Sequence, residues 1–328
     1  MVIVEKHHEA LLVPDEERGS PVAQTFRRLR QSQARRTHLG ERLGDLMRQE
    51  PAHGYILKLG WRLTHGRLRN LLLMELFDSL LDDEILLRHP ETPVAAVLAQ
   101  HLELRNAYAR ALATLVVPDS RLTEIARQVP PGASIPVSVI TSGGAGGLLA
   151  LARHHTPDAK IASVEPTLGD LDDLEGNAAR VVSAARELSP EVGVFIELPY
   201  APGWEAAVEL IEAAGLYGKI AAGQGDPRQL VEQLSILIEA DLPFKITSSL
   251  EADWIAVLTA VEALVAGASR DEVAELMRLD DPDRFGTAVS SWDQMTQSRV
   301  RRRVRRLGTD RVQNLINNLT LHTELPAL

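Results

Sequence analysis

The chain contains no cysteine. That excludes disulfides, thiolate metal sites and cysteine nucleophiles, and it fits a reducing cytoplasm. Aromatic residues are scarce too, at 4% against 45% hydrophobic overall, so any core must be built from Leu, Val, Ile and Ala. Such a composition suits helix-rich α/β proteins better than β-sandwiches. An excess of basic charge is also missing. The formal net charge is −10, which gives no global attraction to nucleic acid or an anionic membrane. Long apolar runs are absent as well: the most apolar stretch, Ile255 to Ala268, is interrupted by Glu262 and is too short to span a bilayer. Met1 to Ala10 carries Glu5, Lys6, His7, His8 and Glu9 and has no apolar segment of the secretory kind. These absences predict a soluble, cytoplasmic protein.

The 328 residues suffice for one large domain, or for a barrel with a smaller partner. From about Ser20 to Arg110 the pattern reads as helix. Ser20-Pro21 supplies a cap and a first-turn proline, and Val22, Phe26 and Leu29 then fall at helical spacing. Further helices are expected around Leu39 to Met47, Ile56 to Trp61, Leu71 to Leu87 and Val94 to Arg110, with Pro51, Pro90 and Pro93 as breaks. Residues 1–112 are therefore expected to be an all-α region. Leu71 to Met74, beside Leu76, Phe77, Leu80 and Leu81, give it more apolar surface than a small bundle needs, so it is expected to cap the rest or to form a homodimer.

Near Ala113 the rhythm changes. Short apolar runs at Thr114–Val117, Pro136–Ile140, Ile161–Val164, Val192–Ile196, Lys219–Ala222 and Phe244–Thr247 are each followed by a helical stretch. Six β-then-α units in a row imply a parallel sheet covered by helices. Polar residues recur at many strand ends rather than at one switch point, which favours a TIM-like (β/α) barrel over an open doubly wound sheet. Residues 113–328 are assigned to that barrel with its C-terminal helices. Gly286–Ser290 and Arg305–Leu307 are the candidates for the remaining strands, and a distorted or incomplete barrel stays open.

Four strand ends carry charge: Glu165, Glu197, Lys219 and Lys245. Neighbouring strands lie about 4.8 Å apart, so charges at similar height on adjacent strands share one mouth. Barrel enzymes carry their catalytic residues at that face. A lysine in an apolar strand must be paired or neutral, and a second ammonium nearby lowers its pKa. A neutral lysine can attack a carbonyl to form a Schiff base, with the glutamates relaying protons. The expected function is thus an enzyme for a small carbonyl or carboxylate compound, a lyase or aldolase through Lys219 or Lys245. The rival is a non-catalytic ligand- or partner-binding barrel in which the same four residues are ion-paired.

Lysines on two consecutive strands, the first followed by glycine four positions on (Lys219 to Gly223), resemble the lysine pair of deoxyribose-phosphate aldolases, which are class I aldolase barrels. The resemblance covers about residues 190–250 and implies that Lys219 forms the Schiff base while Lys245 tunes it. The chain departs from that family where Ser248-Ser249 stands in place of a phosphate-binding glycine pair, and the catalytic aspartate has no secure counterpart. Thr114 to Ala268 also resembles an uncharacterised group of bacterial barrel-like proteins with a Phe-Lys-x-Thr strand, here Phe244 to Thr247; that likeness implies the fold and no activity.

Other motifs are weaker. Gly143, Gly144, Gly146 and Gly147 follow a strand and open a helix, where free N–H groups can cradle a phosphate; the alternative is a tight turn that lets the helix pack closely. Ser248 and Ser249 belong to the same phosphate reading, and Gly308-Thr309-Asp310 reads as an ordinary cap. Six arginines between Arg299 and Arg306, read as a helix, could hold a polyanion or nucleic acid, but no aromatics interleave to stack bases. Pairing with the chain's own carboxylates is the favoured alternative. The ten histidines show no metal-binding spacing. No cofactor is predicted, and a divalent metal between the glutamates is left open.

Overall fold

The chain forms a closed barrel of eight parallel strands in sequential order. This computed structural model describes residues 76–323 except 154–158, 223–225, 248–250 and 280–281. The expected helices before residue 76, the histidine pairs, Gly223, Ser248 and Ser249 all lie outside the described residues. The order runs β1 (Leu81–Asp83), α1 (Ile85–Arg88), α2 (Val94–Ala107), β2 (Leu112–Pro118), α3 (Leu122–Gln128), β3 (Ile135–Thr141), α4 (Gly144–Ala152), β4 (Ala159–Pro166) and α5 (Leu174–Ala185). It continues through β5 (Gly193–Glu197), α6 (Trp204–Ala213), β6 (Tyr217–Ala221), α7 (Pro227–Glu239), β7 (Phe244–Thr247) and α8 (Glu251–Val265). After α9 (Arg270–Arg278), α10 (Pro282–Ser290) and α11 (Gln294–Arg303), the last strand β8 (Val304–Thr309) pairs with β1 and α12 (Val312–Thr323) follows.

The TIM-like barrel is thus complete, and three sequence expectations change. Leu71 to Leu87 is not one helix, because Leu81–Asp83 is the first strand of the barrel. The barrel therefore begins before residue 113, and α2 belongs to its first βα unit. Gly286–Ser290 is the end of a helix, whereas Arg305–Leu307 does lie in a strand. Leu76, Phe77, Leu80 and Leu81, part of the apolar surface expected either to cap the barrel or to form a homodimer, are buried within the chain's own core.

Each strand divides its residues between two environments. Leu115 and Val117 on β2, Val137 and Val139 on β3, Val164 on β4, Ile196 on β5, Ile220 on β6, Ile246 on β7 and Leu307 on β8 are buried in the hydrophobic core beneath the helices. Burying each such side chain contributes roughly 1.5–3 kcal/mol. The alternate residues point into the barrel. There the register aligns Glu197, Lys219, Lys245 and Arg306 on consecutive strands, and Asp82 with Thr114. Below Glu197 and Lys219, Phe195 and Tyr217 stack at 4.9 Å between ring centroids and close the interior with apolar surface.

Local signals start the surrounding helices. Asp173 accepts from the Gly176 N–H at the head of α5, Asp226 caps α7 ahead of Pro227, and Ser269 and Glu272 form a reciprocal capping box on α9. Among the described residues no helix is long and apolar enough to cross a membrane.

Candidate active site in the barrel mouth

The interior of this barrel is charged where aliphatic layers usually fill such folds. Lys245 Nζ lies 2.8 Å from Glu165 Oε1, 2.9 Å from Asp82 Oδ2 and 3.3 Å from Glu84 Oε1. An ammonium has three donors, and here three carboxylates surround it. Lys219 Nζ lies 2.9 Å from Glu165 Oε2 and 3.1 Å from Glu197 Oε2. Glu165 therefore bridges the two lysines, one oxygen to each. Hydroxyls complete the set: Ser138 donates to Glu165 Oε1 at 2.5 Å, Ser163 donates to Ser138 at 2.7 Å, and Thr114 donates to Asp82 Oδ1 at 2.7 Å.

The two lysines and two glutamates singled out from the sequence meet in one network, although their positions along the strands differ from expectation. Glu197 ends β5 and Glu165 is the second-last residue of β4. Lys219 is instead the middle residue of β6, and Lys245 is the second of β7. Their four-carbon stems, on strands tilted by about 36° in such barrels, bring both ammoniums to the carboxylates.

Burial sets the roles apart. The side chains of Lys245 and Glu165 are fully buried, that of Lys219 is 5% exposed, and that of Glu197 is 35% exposed. Glu197 is thus the network's member nearest to solvent, with Lys219 behind it. Thr167 Oγ1 donates to Glu197 Oε2 at 3.3 Å.

The ionisation states follow from burial set against Coulomb attraction. Burial alone would push the Glu165 carboxyl up, but the Lys219 and Lys245 ammoniums outweigh it and hold the group at about 2. Burial likewise favours a neutral Lys245, yet Asp82, Glu165 and Glu84 together raise its pKa above the ordinary lysine value. Lys219 is raised in the same way, chiefly by Glu165. Glu84 goes the other direction: burial lifts its carboxyl above the usual range, and Lys245 only partly offsets that. Both lysines are therefore ammoniums in the resting protein.

No protein-family model matches the chain. No curated protein matches it either.

Sequence reasoning missed Asp82 and Glu84. Glu84 reaches Lys245 across a close approach to Gly308, where a Cβ would stand 1.8 Å from Glu84 Oε1. Gly308 is the glycine that this packing requires, and in the following turn Thr309 Oγ1 accepts from the Arg311 N–H. Asp83, the outward neighbour of Asp82, accepts from the Nδ1–H of the buried His101 at 2.9 Å and ties β1 to α2. The signal available in sequence was the run Asp82-Asp83-Glu84 between two apolar segments, which is unusual inside a helix that packs on a core.

The glycine-rich segment opens α4 at the mouth end of β3. A Cβ on Gly147 would stand 2.0 Å from Thr141 Oγ1, and one on Gly143 would crowd Gly147, so close packing accounts for both. A Cβ on Gly144 or Gly146 would meet nothing within 4 Å.

The arginine segment is not one helix, since α11 ends at Arg303 and β8 begins at Val304. Its guanidiniums are occupied within the chain. Arg299 pairs with Glu262 at 3.6 Å, and Arg302 and Arg303 pair with Asp241. Arg301 donates to the carbonyls of Val304, Arg305 and Asp78, while Arg306 donates to that of Ser79. Arg305 lies over the Tyr217 ring, 5.7 Å from its centroid. Burial, then the neighbouring Arg306 and Arg305, bring Arg301 down to about 10. A cavity of about 300 Å³ between Asp78, Gln297, Arg301 and Arg305 belongs to this end of the barrel, near the start of β8 rather than the charged mouth.

Among the described residues no cluster of three or more His, Asp and Glu side chains is arranged to hold a metal ion. Within the network itself, the Lys245 ammonium stands between carboxylates that could otherwise serve as ligands.

Proposed function

We propose that the barrel mouth is an acid–base site for a small carbonyl or carboxylate compound, with Lys219 and Glu197 as the groups that meet the substrate. The observation that carries this reading is the contrast between the lysines. Lys245 is enclosed by three carboxylates, whereas Lys219 lies directly behind Glu197, the most exposed member of the network. A fixed ammonium placed beside a carbonyl oxygen stabilises the negative charge that develops there. Glu197 takes a proton from the carbon next to the carbonyl, that C–H pair becomes the C=C bond, and the carbonyl π pair moves to the oxygen facing Lys219. The resulting enolate is the intermediate shared by lyases and isomerases. Glu165, Lys245, Asp82 and Glu84 are positioning residues in this scheme.

The test is exchange of carbon-bound hydrogen for deuterium, followed by NMR on a panel of small ketones, aldehydes and keto acids in heavy water. Catalysed exchange is expected with the intact protein. Replacing Lys219 by Met or Glu197 by Gln should slow it by about 100-fold or more, the usual scale for losing one positioned acid, base or oxyanion donor. No exchange above the uncatalysed rate for any compound would sink the reading.

A second reading keeps the lyase class and makes Lys219 a nucleophile. What favours it is Lys245, the register neighbour whose charge works against protonation of Lys219. Glu197 would take the ammonium proton, the amine would add to the carbonyl, and loss of water would leave an imine. Borohydride trapping read by intact mass separates the two, because only the imine leaves an adduct, absent after Lys219→Met.

A further inference from the structure

The two ammoniums of the mouth differ in how many carboxylates lie close to them. Lys245 faces three carboxylates. Lys219 has two, Glu165 Oε2 at 2.9 Å and Glu197 Oε2 at 3.1 Å, among the described residues, so at least one of its three N–H groups is directed at neither. Glu197 shows the matching imbalance. Lys219 and Thr167 both approach its Oε2, and among the described residues nothing hydrogen-bonds its Oε1. An N–H of the buried Lys219 and an open oxygen of the more exposed Glu197 thus stand side by side, with Glu197 toward solvent.

The charge around them is uneven. Glu165 and Glu197 share the single charge of Lys219. The next cation, Lys245, is itself enclosed by Asp82 and Glu84 as well as Glu165. Among the described residues two arginines approach the network, Arg88 at 3.9 Å from Glu84 and Arg306 at 3.7 Å from Asp82, and both do so at carboxylates that follow or belong to β1. Glu197 ends β5, which is opposite β1 in an eight-stranded ring. Among the described residues, the β5 side of the mouth is therefore short of positive charge.

We infer that the substrate is a cationic carbonyl compound, a small amino ketone or amino aldehyde, and that carboxylate- and phosphate-bearing compounds are disfavoured. Its carbonyl oxygen takes the third N–H of Lys219, and its ammonium faces the open oxygen of Glu197. This rests on the mouth being the carbonyl site proposed above and specifies the charge of what it takes. With the amine on the carbon next to the carbonyl, the ammonium holds that carbon beside Glu197 and also acidifies its C–H bond.

The experiment is calorimetric titration of the full chain with three compounds of nearly the same size: aminoacetone, hydroxyacetone and pyruvate. They carry a positive charge, no charge and a negative charge on a common methyl ketone. Aminoacetone is expected to bind at least about tenfold more tightly than hydroxyacetone, with pyruvate weakest, and added salt should narrow the gap. In Glu197→Gln the preference for aminoacetone over hydroxyacetone should largely vanish. Pyruvate binding as tightly as aminoacetone, equal affinity for all three, or binding of none would overturn the inference. The comparison is made within the unmodified protein, so a variant that fails to fold does not weaken it. The two proposals also fail separately. Aminoacetone preferred without any deuterium exchange would remove the catalytic reading alone, whereas Lys219-dependent exchange of pyruvate with no preference for the amine would remove only the charge assignment.

Discussion

Replacing Lys245 by Met removes one buried positive charge and leaves Asp82, Glu84 and Glu165 facing one another. The three attractions, at 2.8, 2.9 and 3.3 Å, amount to about 5–6 kcal/mol each at an effective dielectric constant of about 20. Two effects return most of that sum. The ammonium no longer has to be stripped of water, which is several kcal/mol for a buried ion. The orphaned carboxylates also escape part of their repulsion by taking up protons, at about 1.4 kcal/mol per unit of pKa shift. The net expectation is a loss of about 3–5 kcal/mol at pH 7, the range found when one partner of a buried pair is removed. Urea titration followed by far-UV circular dichroism measures it, and the midpoint of thermal unfolding should fall by roughly 10 °C for a barrel of this size. Because the carboxylates can be neutralised, the deficit should shrink when the titration is repeated near pH 5. A variant within about 1 kcal/mol of the parent at pH 7, or one whose deficit ignores pH, would refute the reasoning; surface substitutions typically stay below that level.

Two further outcomes follow from the same network. Glu165 has its pKa lowered to about 2, so its contribution to stability is in place above the unfolded carboxylate value and is lost as the pH falls through about 2. Acid unfolding should accordingly take up a proton that the Glu165→Gln protein does not, as read by comparing stability-against-pH slopes between about pH 5 and pH 2. Gly308→Ala should destabilise by about 1–3 kcal/mol, because its Cβ would overlap the Glu84 carboxylate, and Glu84→Ala in the same chain should recover most of the loss. Equal destabilisation with and without Glu84 would show that the clash lies elsewhere.

Much of the barrel was legible because most strands carry outward-facing apolar runs. Thr114–Val117 and Phe244–Thr247 could hardly be read otherwise. The two strands that were hard to see are those at the closure, for a shared physical reason. Leu81–Asp83 is only three residues long and two of them are acidic, while Val304–Thr309 begins among arginines. Strands whose inward residues serve an ion network lose the apolar signature by which buried strands are recognised. Leu76, Phe77, Leu80 and Leu81 also fall at helical spacing, which hid the switch to a strand. The lysines and glutamates stood out because each interrupts an apolar run. Asp82 and Glu84 do not, since the apolar residues around them fall at helical spacing. Sequence reasoning named the ionisable groups, but could not supply their state: whether Lys219 is neutral or charged depends on Glu165 and Glu197 standing about 3 Å away.

The hydrogen bond from Lys245 to Asp82 joins residues 163 positions apart. Contacts of such span form slowly, since a long stretch of chain must be ordered before they repay it. The pairing of Lys245 with Asp82 and Glu84 is therefore expected to complete only when β1 meets β8 and the ring shuts. Until then Asp82 and Glu84 lack their ammonium and are at ease only in water, which leaves the open edge of an unclosed barrel wet. The polar centre disfavours intermediates of that kind. A chain that has brought Lys245 among its carboxylates has assembled its candidate catalytic mouth and completed its fold in the same event.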